Sequence, residues 1–188
     1  MSQAAAFIER LSNDRIVGPG ERARLRALCG RGLDASTPGF DLFAGLWWPL
    51  RQKNQSAPRR EVAWLIAKLF AAFPLPHAPE PPANLPAILG RCEPVDDHGR
   101  PRFRRRFDVL LCSPLGQLEP HLRWALSVAR AEIVARRVTG LDWVKLTDHL
   151  SIWDRGAEHR LERDIRDLWA EQYLNATRTP TKGDFHAD

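Results

Sequence analysis

Arg102, Arg104, Arg105 and Arg106 crowd into the stretch RPRFRRRFDVLLCS from Arg100 to Ser113, and the chemistry they offer is phosphate binding. A guanidinium stays charged at every physiological pH and can donate two parallel hydrogen bonds to one phosphate. Wound as a helix, the stretch separates this charge from its packing. Phe103, Phe107, Leu110 and Leu111 fall at i, i+4, i+7 and i+8, one apolar stripe, while Arg102, Arg105 and Arg106 sit a turn apart on other faces. The same spacing also describes a solvated basic helix face.

Further positive charge lies elsewhere. The segment GERARLRALCGR carries Arg24 and Arg26 on a helix whose buried positions are Leu25 and Leu28, with Glu21 close enough to soften part of the charge. The loop RQKNQSAPRR holds Arg51, Lys53, Arg59 and Arg60, with no nearby carboxylate before Glu61. Arg123 and Arg130 flank the apolar stripe of a later helix. There Glu119, four residues before Arg123, makes an ordinary surface ion pair the competing reading.

Patterns that would carry catalysis or hold a metal are missing. His77, His98, His121, His149, His159 and His186 are scattered, with no H-E-x-x-H, no H-x-E joined to P-C-x-x-C and no Gly-rich phosphate loop. Asp148, His149 and Asp154 are close in sequence, but adjacent helical residues point about 100° apart and do not converge on one ion unaided. Cys29, Cys92 and Cys112 lack C-x-x-C spacing, which suggests reduced thiols rather than a disulfide framework or a zinc site. Arg91 and His98 have the spacing of an R-x(4–6)-H ribonuclease pair, yet Pro94 and Gly99 make that segment a loop. The expectation is no catalytic residue, no metal and no cofactor.

The elements that must position these arginines are helices. Within 188 residues, 44% hydrophobic and carrying a net charge of +5, each long segment repeats its apolar positions at the helical period and none alternates with period two. The predicted class is all-α, with two packed helical groups. Residues 1–73 form an N-terminal lobe and 74–99 a proline-rich connector and loop, followed by a C-terminal bundle over 100–176 and a tail over 177–188. Within the first lobe, Pro49 is expected to end or kink the short segment FDLFAGLWWPL, whose paired tryptophans read as core or interface filler. The helix after Ser113-Pro114, with Leu115, Leu118, Leu122, Leu126, Ala129 and Ile133 in one stripe, should be the longest and the spine of the C-terminal bundle. No apolar run approaches the roughly 20 residues that span a bilayer, and the N-terminus lacks the order of a signal peptide, so a cytoplasmic protein without membrane contact is expected.

The succession GERARLRAL, RFRRRFDVLLCSP, LEPHLRWAL, LDWVKLTDHLSIWD and WAEQYL resembles the CasB family, the small subunit of the type I-E CRISPR surveillance complex Cascade. The likeness runs from about Phe7 to Leu174, and the C-terminal half is its more specific part. It implies an all-α, non-enzymatic subunit of a crRNA-guided antiviral complex, present as two copies beside the backbone and large subunits. The family role is to brace crRNA and target DNA and to stabilise the displaced strand of the R-loop. By that resemblance Arg24, Arg26, Arg104, Arg105, Arg106 and Arg123 are nucleic-acid contacts. Arg102 joins them from the helix pattern, and Arg51, Lys53, Arg59 and Arg60 from charge density alone. In such machines base pairing reads the sequence, so the protein needs only sequence-blind charge along a backbone path. A protein-only helical adaptor is the alternative, with a helical ribonuclease behind it.

Overall fold

In the computed structural model, residues 3–33, 37–54, 57–80, 83–135, 137–155 and 164–177 are described. They form nine α-helices and no β-strand: α1 Gln3–Ser12, α2 Pro19–Ala27, α3 Thr37–Asn54, α4 Arg60–Ala72, α5 Leu85–Arg91, α6 Gly99–Cys112, α7 Leu118–Val134, α8 Trp143–Ser151 and α9 Ile165–Thr177. The all-α expectation is met. The chain divides into two compact units, one made of Met1–Pro79 with Asp142–Ile152, the other of Glu80–Leu141 with Trp153–Asp188.

The first unit packs α1, α2, α3 and α8 with α4. Of the face that the helical period places inward, Val62, Leu65, Ile66 and Leu69 of α4 are buried and Phe73, at its C-cap, is half-buried; Ala63, Trp64, Ala67 and Ala71 are buried as well. Lys68 lies inside this apolar run at 2% exposure. Its ammonium group is satisfied locally, donating to the Arg31 carbonyl at 2.8 Å and sitting 5.4 Å from the Trp64 ring.

Helix α3 answers one half of the expectation that Pro49 ends or kinks this segment, because the helix does not end there. Pro49 lies inside it, and the helix continues to Asn54. A proline removes the amide that would bind the carbonyl four residues earlier. Here that carbonyl belongs to Gly45, and the Arg10 guanidinium of α1 donates to it at 3.2 Å. The paired tryptophans that precede Pro49 part company. Trp47 stacks on Phe43 and donates to the Pro58 carbonyl at 2.9 Å, whereas Trp48 is 52% exposed.

Helix α8 differs from the sequence reading as well, because it joins the N-terminal helices rather than the C-terminal bundle. It packs on α1 and α4 through Trp143, which lies 5.1 Å from the Phe70 ring and donates its indole N–H to the Leu75 carbonyl at 3.1 Å. Asp142 caps the start by accepting from the Lys145 amide at 2.9 Å. Since Leu75 belongs to the proline-rich stretch and is itself buried, the beginning of that stretch is docked rather than free.

The second unit is built from α5, α6, α7 and α9. Leu118, Leu122, Leu126 and Ala129 of α7 are buried, as are Ile88 and Leu89 of α5 and Ile165, Trp169 and Tyr173 of α9. Leu115 begins a single 3₁₀ turn, Leu115–Gln117, so the helix proper starts only at Leu118. With 17 residues it is shorter than α3, which has 18. Trp153 fixes the turn by donating to the Ser113 carbonyl at 2.9 Å, and Asp154 accepts from the Leu115 amide at 3.1 Å. Where α5 meets α9, a Cβ added at Gly90 would run into the Tyr173 carbonyl and lie 2.9 Å from the Ala176 Cβ. Only a bare α-carbon permits that approach.

Candidate nucleic-acid interface

Helix α6 presents three faces, and each has a different fate. Phe107 and Leu110 are buried, Phe107 stacking on Tyr173 with ring centroids 4.2 Å apart, while Phe103 is half-buried and meets Trp124 edge to face at 5.1 Å. This is the anchoring stripe.

A second face carries Arg104, which turns back on the protein. Its Nε and Nη2 both lie 2.8 Å from Oε1 of Glu93, whose side chain is only 5% exposed. Arg100 approaches the same carboxylate less closely, at 3.5 Å, and the Tyr173 hydroxyl donates to Oε2 at 2.6 Å. The hydrogen bond to Glu93, then its charge, raises the Arg104 pKa further above its ordinary value. Burial first, and the bond to Glu93 second, push the Tyr173 phenol up as well. The network ties the end of α5 to α6 and α9. Removing one partner from such a buried network is strongly destabilising.

The third face opens to solvent. Arg102, Arg105, Arg106 and Val109 share it at helical spacing, and with Gly99 and Phe103 of α6 and His121 and Trp124 of α7 they line an open groove of about 620 Å³. Arg106 lies 5.8 Å over the Trp124 ring. Arg102 and Arg105 have no carboxylate partner among the described residues. Val109, 41% exposed, adds an apolar patch beside the arginines. The groove therefore joins guanidinium groups that have no carboxylate partner among the described residues to aromatic and apolar wall, a combination suited to an anion that carries rings.

The other candidates are dispersed. Arg123 is exposed on α7 and does not line the groove. In the first unit Arg24 is exposed on α2, whereas Arg26 donates from Nε to the Ala71 carbonyl at 3.3 Å, serving the C-terminal end of α4. Arg51 and Arg60 are exposed and Arg59 is half-buried; Arg60 lies 4.0 Å from Glu61. Lys53 stands near the end of α3, but its side chain lies outside the described residues, as do His159, His186 and the tail after Thr177. Trp124 and His121 are the groove residues that the charge pattern overlooked. Their signal is three-residue spacing on α7, which puts both on one face.

The strongly shifted groups of the described residues do not suggest acid–base work. Burial, reinforced by Lys145, lowers His149 to about 4, and burial, reinforced by Glu132, pushes the Cys92 thiol up to about 12. Both rest in their neutral forms at pH 7. Among the described residues no group of three or more His, Cys, Asp or Glu is placed to hold a metal. Asp154 serves the Leu115 amide and Arg166 instead. No helix of the described residues is long and apolar enough to cross a membrane.

An all-α chain with an arginine-lined groove and two helical units is the class these observations define, and comparison with known proteins gives it a family. The profile of the family described as CRISPR-associated protein Cse2 matches residues 21–174. The chain belongs to this family, also called CasB, the small subunit of the type I-E Cascade complex. The fold is similar to that of a CRISPR-associated protein of the Cse2 family from Thermus thermophilus, with a TM-score of 0.62 and 21% identity over 93% of this chain and 99% of that one. It is also similar to M. ruber CasB, with a TM-score of 0.63 and 18% identity over 93% and 94% of the respective chains. No curated protein sequence matches it significantly.

Proposed function

We propose that this Cascade subunit is non-catalytic, works in the cytoplasm, and braces crRNA and target DNA while holding the displaced strand of the R-loop on the α6–α7 groove. The observation that carries this reading is Arg102 and Arg105 standing beside Arg106 on one face, without carboxylate partners among the described residues. An arginine row fixed to a helix by buried Phe107 and Leu110 meets phosphates at little cost in ordering. Arg24, Arg51, Arg60 and Arg123 offer further positive charge to a nucleic-acid backbone, whereas Arg104 and Arg26 are drawn toward structural roles by Glu93 and Ala71. A second copy of the chain and the backbone and large subunits of the complex are its proposed protein partners.

The test is binding of the purified chain to fluorescent single-stranded DNA across a salt series. Binding should be indifferent to sequence and should weaken linearly in log salt, by about 0.7 per phosphate neutralised. A chain that joins the complex yet shows no salt-dependent DNA or RNA affinity, alone or assembled, is a protein-only adaptor.

A further inference from the structure

The tryptophans of this chain differ in what their indole N–H groups do. Trp47, Trp64, Trp143 and Trp153 each donate to a backbone carbonyl, at 2.9, 3.1, 3.1 and 2.9 Å, and so act as pegs inside their units. The indole N–H of Trp124 makes no hydrogen bond among the described residues, and the ring is half-buried in the groove wall. Phe103 meets it edge to face at 5.1 Å and fixes its plane, and Arg106 lies 5.8 Å away over the ring. His121 and exposed Val109 extend the wall, while Arg102 and Arg105 stand at the same groove with their charges unpaired among the described residues.

We propose that Trp124 is a stacking platform, and that the groove takes an unpaired nucleotide of the displaced DNA strand, its base on the indole and its phosphates on Arg102 and Arg105. This rests on the function proposed above and goes beyond it, because a surface made only of charge has no means of favouring an unpaired strand over the more densely charged duplex. Bases inside a duplex are already stacked on their neighbours, so a duplex can offer this groove only its phosphates. A single strand offers phosphates and ring faces together, and aromatic stacking tolerates every base because each has a π-face. The groove thereby selects strand state without reading sequence.

The test compares the full-length chain on two probes of equal charge: an oligothymidylate dodecamer, and a dodecamer of the same sugar-phosphate backbone lacking bases. The intact probe should bind about tenfold more tightly or better at equal salt. Trp124→Leu should remove that preference, so that the two probes bind alike, while Trp124→Phe should keep most of it; circular dichroism checks that each variant is folded. Equal affinity for both probes in the parent chain overturns the stacking proposal alone and leaves the basic surface intact. A base preference that survives in folded Trp124→Leu overturns it too, because the platform is then elsewhere. Absence of binding to either probe overturns this inference together with the function on which it rests. A ribo-uridylate dodecamer held more tightly than the deoxy probe overturns the assignment to the displaced strand.

Discussion

Neighbouring arginines on α6 have opposite duties. Arg104 holds a buried carboxylate, and Arg105 faces an open groove. Replacing Arg104 by Ala should lower the melting temperature, because Glu93 loses its nearest cation, and should leave the salt slope of DNA binding near that of the parent. The double change Arg105→Ala and Arg106→Ala should do the reverse. Alanine is a strong helix former and the buried face is untouched, so the fold should stand while the slope of log affinity against log salt falls by about 0.7 for each phosphate no longer held. Paired thermal melts and salt titrations on the two variants check both halves. The sequence made the arginine row legible, since helical spacing alone puts residues 102, 105 and 106 together. It could not reveal the diversion of Arg104, whose partner lies eleven positions earlier in a different element.

His149 gives a separate test at the same scale. Its folded pKa, about 4, lies below the ordinary value of 6.5, so between those limits the unfolded chain binds a proton that the folded chain refuses. The stability contributed by the neutral ring is complete above pH 6.5 and is lost as the pH falls toward 4, at about 1.4 kcal/mol per pH unit where the shift is fully expressed. Replacing His149 with Gln should flatten the fall in melting temperature over that window. An unchanged slope would mean that other groups cause the acid sensitivity.

At the scale of elements, packing sets tight local limits. Phe107→Ala should cost about 3–5 kcal/mol, since it empties a buried site stacked on Tyr173, and should affect binding only through unfolding. Gly90→Ala and Gly20→Ala form a matched pair. At Gly90 the added methyl meets α9 backbone and the helices must move apart, whereas at Gly20 nothing lies within 4 Å. The first should lower the denaturation midpoint, and the second should raise stability by about 0.4–1 kcal/mol. Helix positions were well marked in the sequence because apolar periodicity is a local property. The continuation of α3 through Pro49 was not, because the group that relieves the proline comes from Arg10 on another helix. Trp124 was missed for a related reason: an aromatic residue at helical spacing looks the same whether it pegs a core or lines a groove, and only its hydrogen bonds tell the two apart.

For the whole molecule, the two units are interleaved along the chain, and α8 shows why sequence order misled. Its stripe is as apolar as any C-terminal helix requires, but periodicity says which face is buried and not against what. Trp143→Ala should therefore weaken the unit containing α1 to α4, by about 3–5 kcal/mol. Hydrogen exchange should report the weakening in α4 before α7, since α4 is a packing partner of α8.

The docking of α8 also imposes an order in time. A ribosome delivers residues at about 5–20 per second, and α4 emerges with Leu75 waiting for an indole that has yet to be made. The whole of 80–141 must be translated before Trp143 appears. For several seconds the apolar surface of α4 destined for α8 stands open on the nascent chain. Yield in a host should depend on how fast the intervening codons are read, and on how much chaperone is present to shelter that surface in the meantime.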